Sequence, residues 1–150
     1  MTDSNNDTYD LNRFLQAQAE SYSIALSELR QGHKRSHWIW YVLPQLRGLG
    51  GSEMSQRYGI ASLAEAQAYL GHPVLGLRLK ECVTAMCAHT DLSAVEILGD
   101  VDAAKFRSCL TLFALLADVD PVFTSALNRF FGGAGDHKTL DLLSALDLRR

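Results

Sequence analysis

One stretch of this chain concentrates side chains that grip anions and stack on flat rings. From His33 to Gly48 it reads His-Lys-Arg-Ser-His-Trp-Ile-Trp-Tyr-Val-Leu-Pro-Gln-Leu-Arg-Gly. Arg35 and Arg47 each carry a planar fork of N–H donors that matches phosphate or carboxylate. A partly exposed Trp40 beside Arg35 and His37 offers a stacking face next to cationic donors, a combination suited to a nucleobase or ribose-phosphate. The expected site is one crevice on which Arg35, His37 and Arg47 converge, with Gln45 and Trp40 at its rim. The expected ligand is an anionic small molecule, and no cofactor is called for. Ser36, as cap of a short helix, would turn that helix's first amides toward the same space. The competing reading is scaffolding. In that case the same side chains bond neighbouring carbonyls and acidic residues such as Asp102 or Asp136.

Other chemistries find less support. His33 and His37 are four apart, a spacing that lets two histidines share a metal on a helix. Lys34 and Arg35 between them repel a cation, and Gly32 takes His33 off the helix, so no metal is expected. The cysteines Cys82, Cys87 and Cys109 match no metal or redox spacing. Cys82 and Cys109 fall on apolar helical faces, where reduced thiols behave as small hydrophobes. The chain has no Gly-x-Ser-x-Gly elbow, no Gly-x-Gly-x-x-Gly and no phosphate-loop Gly-Lys-Ser/Thr. Gly48-Leu-Gly50-Gly51 is glycine-rich but follows no recognisable strand. Lys105 and Arg107 point about 200° apart on a helix, so at most one joins any site. Asp102 reads as a helix cap.

Charge is unevenly placed around this stretch. Residues 1–29 carry Asp3, Asp7, Asp10, Glu20 and Glu28 against Arg13 alone, and residues 30–57 carry Arg30, Lys34, Arg35, Arg47 and Arg57 against Glu53 alone. A basic patch inside an acidic chain points to a small anion or an acidic partner surface. The formal net charge is −3, so the chain as a whole is no generic nucleic-acid binder. Hydrophobic residues make up 47% and charged residues 21% of 150, a globular composition sized for one domain. Such a chain buries roughly 70% of its unfolded surface and needs no disulfide or metal staples. The polar start MTDSNNDTYD is no signal or transit peptide, and no apolar run approaches the ~20 residues of a membrane span. A cytoplasmic protein is expected.

The elements that must position the stretch are helical. Residues 1–9 read as a disordered lead-in and residues 10–150 as a single helical domain. Asp10 is placed to cap a long first helix with Phe14, Gln18, Tyr22, Ala25 and Leu29 on one face, stopped by Gly32. The run from Trp38 to Leu43 has strand propensity but no partner strand, so it reads as a short buried helix ending near Pro44. Trp38 and Tyr41, three apart, face the core while Trp40 lines a crevice. Further helices start at Ser52, at the capping boxes Ser62–Glu65 and Ser93–Glu96, at Pro73, Asp102, Asp120-Pro121 and Asp136. The last carries Leu140 and Leu143 inward. The fold class is all-α: a compact single-domain bundle of about six to eight helices, several short.

The run Arg35–Gly48 resembles the hallmark of a bacterial family of unknown function, the one numbered eighteen-ten. Asp10–Phe14, Tyr58–Ala66, His72–Gly76, Lys105–Phe113 and Thr139-Leu140 agree with it in the same order. The resemblance implies a mostly helical fold and no assigned chemistry. Members are sometimes labelled calpastatin; a chain with a buriable core and repeated caps is unlike those disordered inhibitory segments. Two short strings, Phe14-Leu-Gln-Ala-Gln18 and His72-Pro-Val-Leu75, are also similar to pieces of the NADAR family, which processes ADP-ribose-linked compounds. No catalytic residue is carried across from it.

Two functions fit this reading. One is binding or processing of a phosphate-bearing, nucleotide-like small molecule of the ADP-ribose type. The other is a non-catalytic protein-interaction module that uses His33 to Gly48. They differ in shape: a concave pocket with convergent polar groups for the first, a flatter surface with a polar rim for the second.

Overall fold

A computed structural model describes residues 7–116 and 120–148, with the side chains of all of these but 147 and 148. Among them the chain folds as α1 (Asn12–Gln31), α2 (Ile39–Val42), α3 (Glu53–Tyr58), α4 (Leu63–Gly71), α5 (Leu75–Cys87), α6 (Ala94–Leu98), α7 (Asp100–Ala114), α8 (Val122–Phe131) and α9 (His137–Leu148). The all-helical single domain is as expected. The helix count is nine among the described residues, because α2, α3 and α6 are separate pieces of 4, 6 and 5 residues. Among the described residues no strand forms, and extended backbone meets only in a parallel bridge between Leu46 and Ile60.

The core sits between two long helices and what they hold. α7 packs against α4, α6, α8 and α9, and α1 packs against α5 and α2. An aromatic line joins the two sides. Phe14 of α1 meets Tyr69 of α4 edge-on at 4.9 Å, Tyr69 meets Phe113 of α7 at 5.7 Å, and Phe113 stacks on Phe123 of α8 at 5.7 Å. All four rings are fully buried. Each such pair adds about 0.5–1.5 kcal/mol beyond the area it buries.

Caps account for most boundaries, with corrections. Ser52, Ser62 and Ser93 each accept the amide three residues on, and only Ser93–Glu96 closes a full capping box. At Ser62 the Glu65 carboxylate instead accepts the Ala61 amide and the Arg13 guanidinium. Asp10 does not cap α1: it has φ 52, and the Asp7 carboxylate accepts from Leu11 at 2.6 Å and Asn12 at 3.0 Å. Of the lead-in expected over 1–9, residues 1–6 lie outside the described residues. Pro73 precedes α5, whose first amides, Val74 and Leu75, donate to Nδ1 of His72. Asp102 caps nothing, since α7 starts after Gly99 with no side-chain cap. On α9, Thr139 is the buried residue, while Leu140 is exposed and Leu143 half-buried.

Candidate functional site

The segment from His33 to Gly48 lies along α1 and runs the opposite way. Its start is held by Glu28, a carboxylate buried in the last turn of α1 at 6% exposure. Glu28 accepts four hydrogen bonds: the Arg35 amide at 2.9 Å, the Ser36 amide at 3.0 Å, the Ser36 hydroxyl at 2.6 Å and the Trp38 indole at 2.9 Å. Burial alone would raise its pKa. The donors, led by the Ser36 hydroxyl and the Arg35 amide, outweigh burial and hold it at about 2. Ser36 therefore serves Glu28 and not the helix; α2 begins at Ile39 with no side-chain cap.

Midway, the Tyr41 carbonyl accepts from Gln18 at 2.7 Å and its hydroxyl pairs with Ser21 at 3.1 Å. At the far end, Arg47 donates its amide to Ile60 and Ile60 donates to the Gln45 carbonyl. Gly59 makes that approach feasible: a β-carbon there would stand 2.6 Å from the Arg47 Cα. The Gly59 carbonyl in turn accepts from Arg13, in the first turn of α1, at 3.1 Å.

This path decides where the expected site residues go. The Arg35 guanidinium donates to Gln31 at the C-terminal end of α1, at 2.9 Å. Arg47 sits by Gly59 at the N-terminal end. Gln31 and Arg13 are about 27 Å apart along the helix axis. Arg35, His37 and Arg47 are all exposed and line none of the cavities described below. The structure thus spreads the three side chains instead of bringing them to one crevice. It does bring Trp40 and Gln45 together. They share a crevice with Met54, Ser55, Tyr58 and Gly59, but its volume is about 10 Å³, room for one water at most.

The two tryptophans of the segment are each covered by a lysine. Trp38 is 1% exposed, as expected, whereas Tyr41 is only half-buried. Lys34 lies over the Trp38 ring at 4.9 Å, bonds the Asp102 carboxylate at 2.7 Å and donates to the Ser36 carbonyl. Lys105 reaches the same carboxylate at 3.5 Å and covers the half-buried Trp40 ring at 5.1 Å. Asp102, read as a cap, is the acid that ties the two lysines to the two tryptophans. Asp136 does cap its helix, accepting the Thr139 amide at 2.9 Å.

Larger concavities lie away from Trp40. A groove of about 560 Å³ runs between the start of α4, the end of α7 and α9, lined by Ala61, Leu63, Leu115, Leu140, Leu143 and Leu146 with Ser62 and Ser144. A second, of about 500 Å³, lies on α5 beside Arg30. A third, of about 460 Å³, lies between the Gly48-Leu49 loop and Lys138, Asp141 and Leu142. Among the described residues no three His, Cys, Asp or Glu groups stand close enough to hold a metal ion together. Burial pushes the Cys82 thiol up to about 12 and raises that of Cys109 further, so neither is a thiolate nucleophile at neutral pH. No described helix is long and apolar enough to cross a membrane. The two strings similar to the NADAR family have structural duties here: Phe14 is core, Gln18 holds Tyr41, and His72 caps α5.

Comparison with known proteins matches this architecture without adding an activity. The chain is similar to the conserved hypothetical protein Rv1873 from Mycobacterium tuberculosis, whose crystal structure superposes with a TM-score of 0.90 at 48% identity, over 92% of this chain and 99% of that one. No curated protein matches. A family model described as a protein of unknown function, DUF1810, matches residues 8–143, and with the whole anchored segment inside that span the chain belongs to this family.

Proposed function

We propose that the protein is a non-catalytic interaction module that presents the His33–Gly48 segment to an acidic patch on another protein. The observation that supports this is the spread of Arg35, His37 and Arg47, exposed and strung along α1. A nucleotide-sized ligand needs a concave site with convergent polar groups. The crevice at Trp40 holds about 10 Å³, and the lysines beside it already pair with Asp102. A protein surface needs no cavity. It is met by separated charges at a rim, which steer encounter and lose strength with salt. The test is a glutamate-rich peptide titrated into the protein and followed by amide chemical shifts. At low salt the shifts gather on residues 33–48 and fade at high salt. Arg35→Glu and Arg47→Glu each remove them at their own end of the segment while the melting temperature holds. A saturable response of these residues to ADP-ribose or a free nucleotide, or no response to the peptide, overturns the reading.

A further inference from the structure

The α1 residues that bond the segment are Gln18, Ser21, Glu28 and Gln31, and Ile24 falls on the same ridge between Ser21 and Glu28 at helical spacing. Ser21 holds the Tyr41 hydroxyl, Glu28 holds Arg35, Ser36 and Trp38, and Gln31 holds the Arg35 guanidinium. Ile24 is the one member of the ridge with no polar tie to the segment, and it is 50% exposed. A lone exposed isoleucine is ordinary on any protein surface. This one is set apart by its place: it sits between the contacts at Ser21 and Glu28, level with the stretch of segment that carries exposed His37 and half-buried Tyr41. Arg35 lies one turn further along. Glu20, exposed one turn before Ile24, is the nearest acid on the helix surface. Glu28 itself is buried and fully engaged with donors.

The geometry points to Ile24 as the apolar anchor of the docking surface, and so to a partner segment that carries one aliphatic side chain among carboxylates. This rests on the interaction reading above and adds the partner's chemistry to it. The aliphatic group covers Ile24 one turn beyond the Ser21–Tyr41 hydroxyl pair, and flanking carboxylates meet the guanidinium of Arg35 and the imidazole of His37. Charge complementarity at the Arg35 end places the acids, and the exposed isoleucine places the aliphatic group between them.

Two peptides test it: a glutamate-rich peptide with a central leucine and the same peptide with serine in its place. Calorimetric titration is expected to show the leucine peptide binding about tenfold more tightly, the gain from covering one leucine. Ile24→Asn abolishes that preference and leaves binding of the serine peptide and the melting temperature as they were. Equal binding of the two peptides, or a preference that survives Ile24→Asn, overturns the anchor and leaves the interaction reading standing. Failure of both peptides to bind overturns both.

Discussion

The two ends of α1 solve the same problem with opposite charges. At the C-terminal end Glu28 gathers donors: two backbone amides, a hydroxyl and an indole. At the N-terminal end Arg13 gathers acceptors: the carbonyls of Tyr9, Asp10, Arg57 and Gly59, and the Glu65 carboxylate at 2.7 Å. Each charge sits where the helix dipole disfavours it, an acid in the last turn and a base in the first. That effect is typically 0.3–1 kcal/mol. Satisfying several backbone groups of a loop that would otherwise be buried unpaired is worth more. The ends differ in compensation. Arg13 has an ion-pair partner, while Glu28 is in none of the ion pairs among the described residues and is balanced by hydrogen bonds alone.

That difference sets the order of damage. Glu28→Ala is expected to cost about 4 kcal/mol, because the Trp38 indole it leaves behind is buried beyond the reach of water. Arg13→Ala should cost about 3 kcal/mol, since several of the carbonyls it releases are near solvent. Urea denaturation of the two variants measures both, and a larger loss at Arg13 would reverse the comparison.

Acid sharpens it further. Glu28 has its pKa lowered from an ordinary 4.5 to about 2 in the folded protein, so the unfolded chain takes up its proton first on acidification. The stabilisation is whole above about pH 5 and drains away as pH falls toward 2, by about 3 kcal/mol in all. Denaturation midpoints of wild type and Glu28→Gln across that range should converge at the acid end. Parallel curves would mean that the carboxylate is not held ionised by its donors. The smallest effect is expected at the exposed cations. Arg35→Ala and Arg47→Ala should each change stability by less than about 0.5 kcal/mol. A larger loss at either would assign it to the scaffold with Glu28 and Arg13.

What could be read from sequence follows the range over which the signals act. Helix starts were legible because a cap is a three-residue affair: Ser52, Ser62 and Ser93 act on the amide three positions on. The burial of Trp38 and the family of the His33–Gly48 run were legible for the same local reason. The site was not. Closeness in sequence suggests that Arg35 and Arg47 converge, but the chain between them runs along α1 and carries them apart. Nothing local marks Glu28 as an organiser, because its donors lie seven to ten residues on, beyond a helix stop, where no motif joins acid to acceptor-seeking loop. Asp102 has a cap's position near a helix start, and its lysine partner Lys34 is brought to it only by tertiary packing.

The two anchors of α1 also differ in how far along the chain they reach. Glu28 closes loops of seven to ten residues, whereas Arg13 closes loops of 44 to 52. Closing the longer loop costs about 1.5 kcal/mol more in chain entropy. The C-terminal end of α1 can therefore fasten the segment while the rest of the polypeptide is still unfolded, and the N-terminal end must wait for α3 and α4. The helix is laid down as a hinge pinned first at its back, so the amides of His33, Arg35 and Ser36, which bond Glu28, should gain protection from exchange during refolding before those around Gly59.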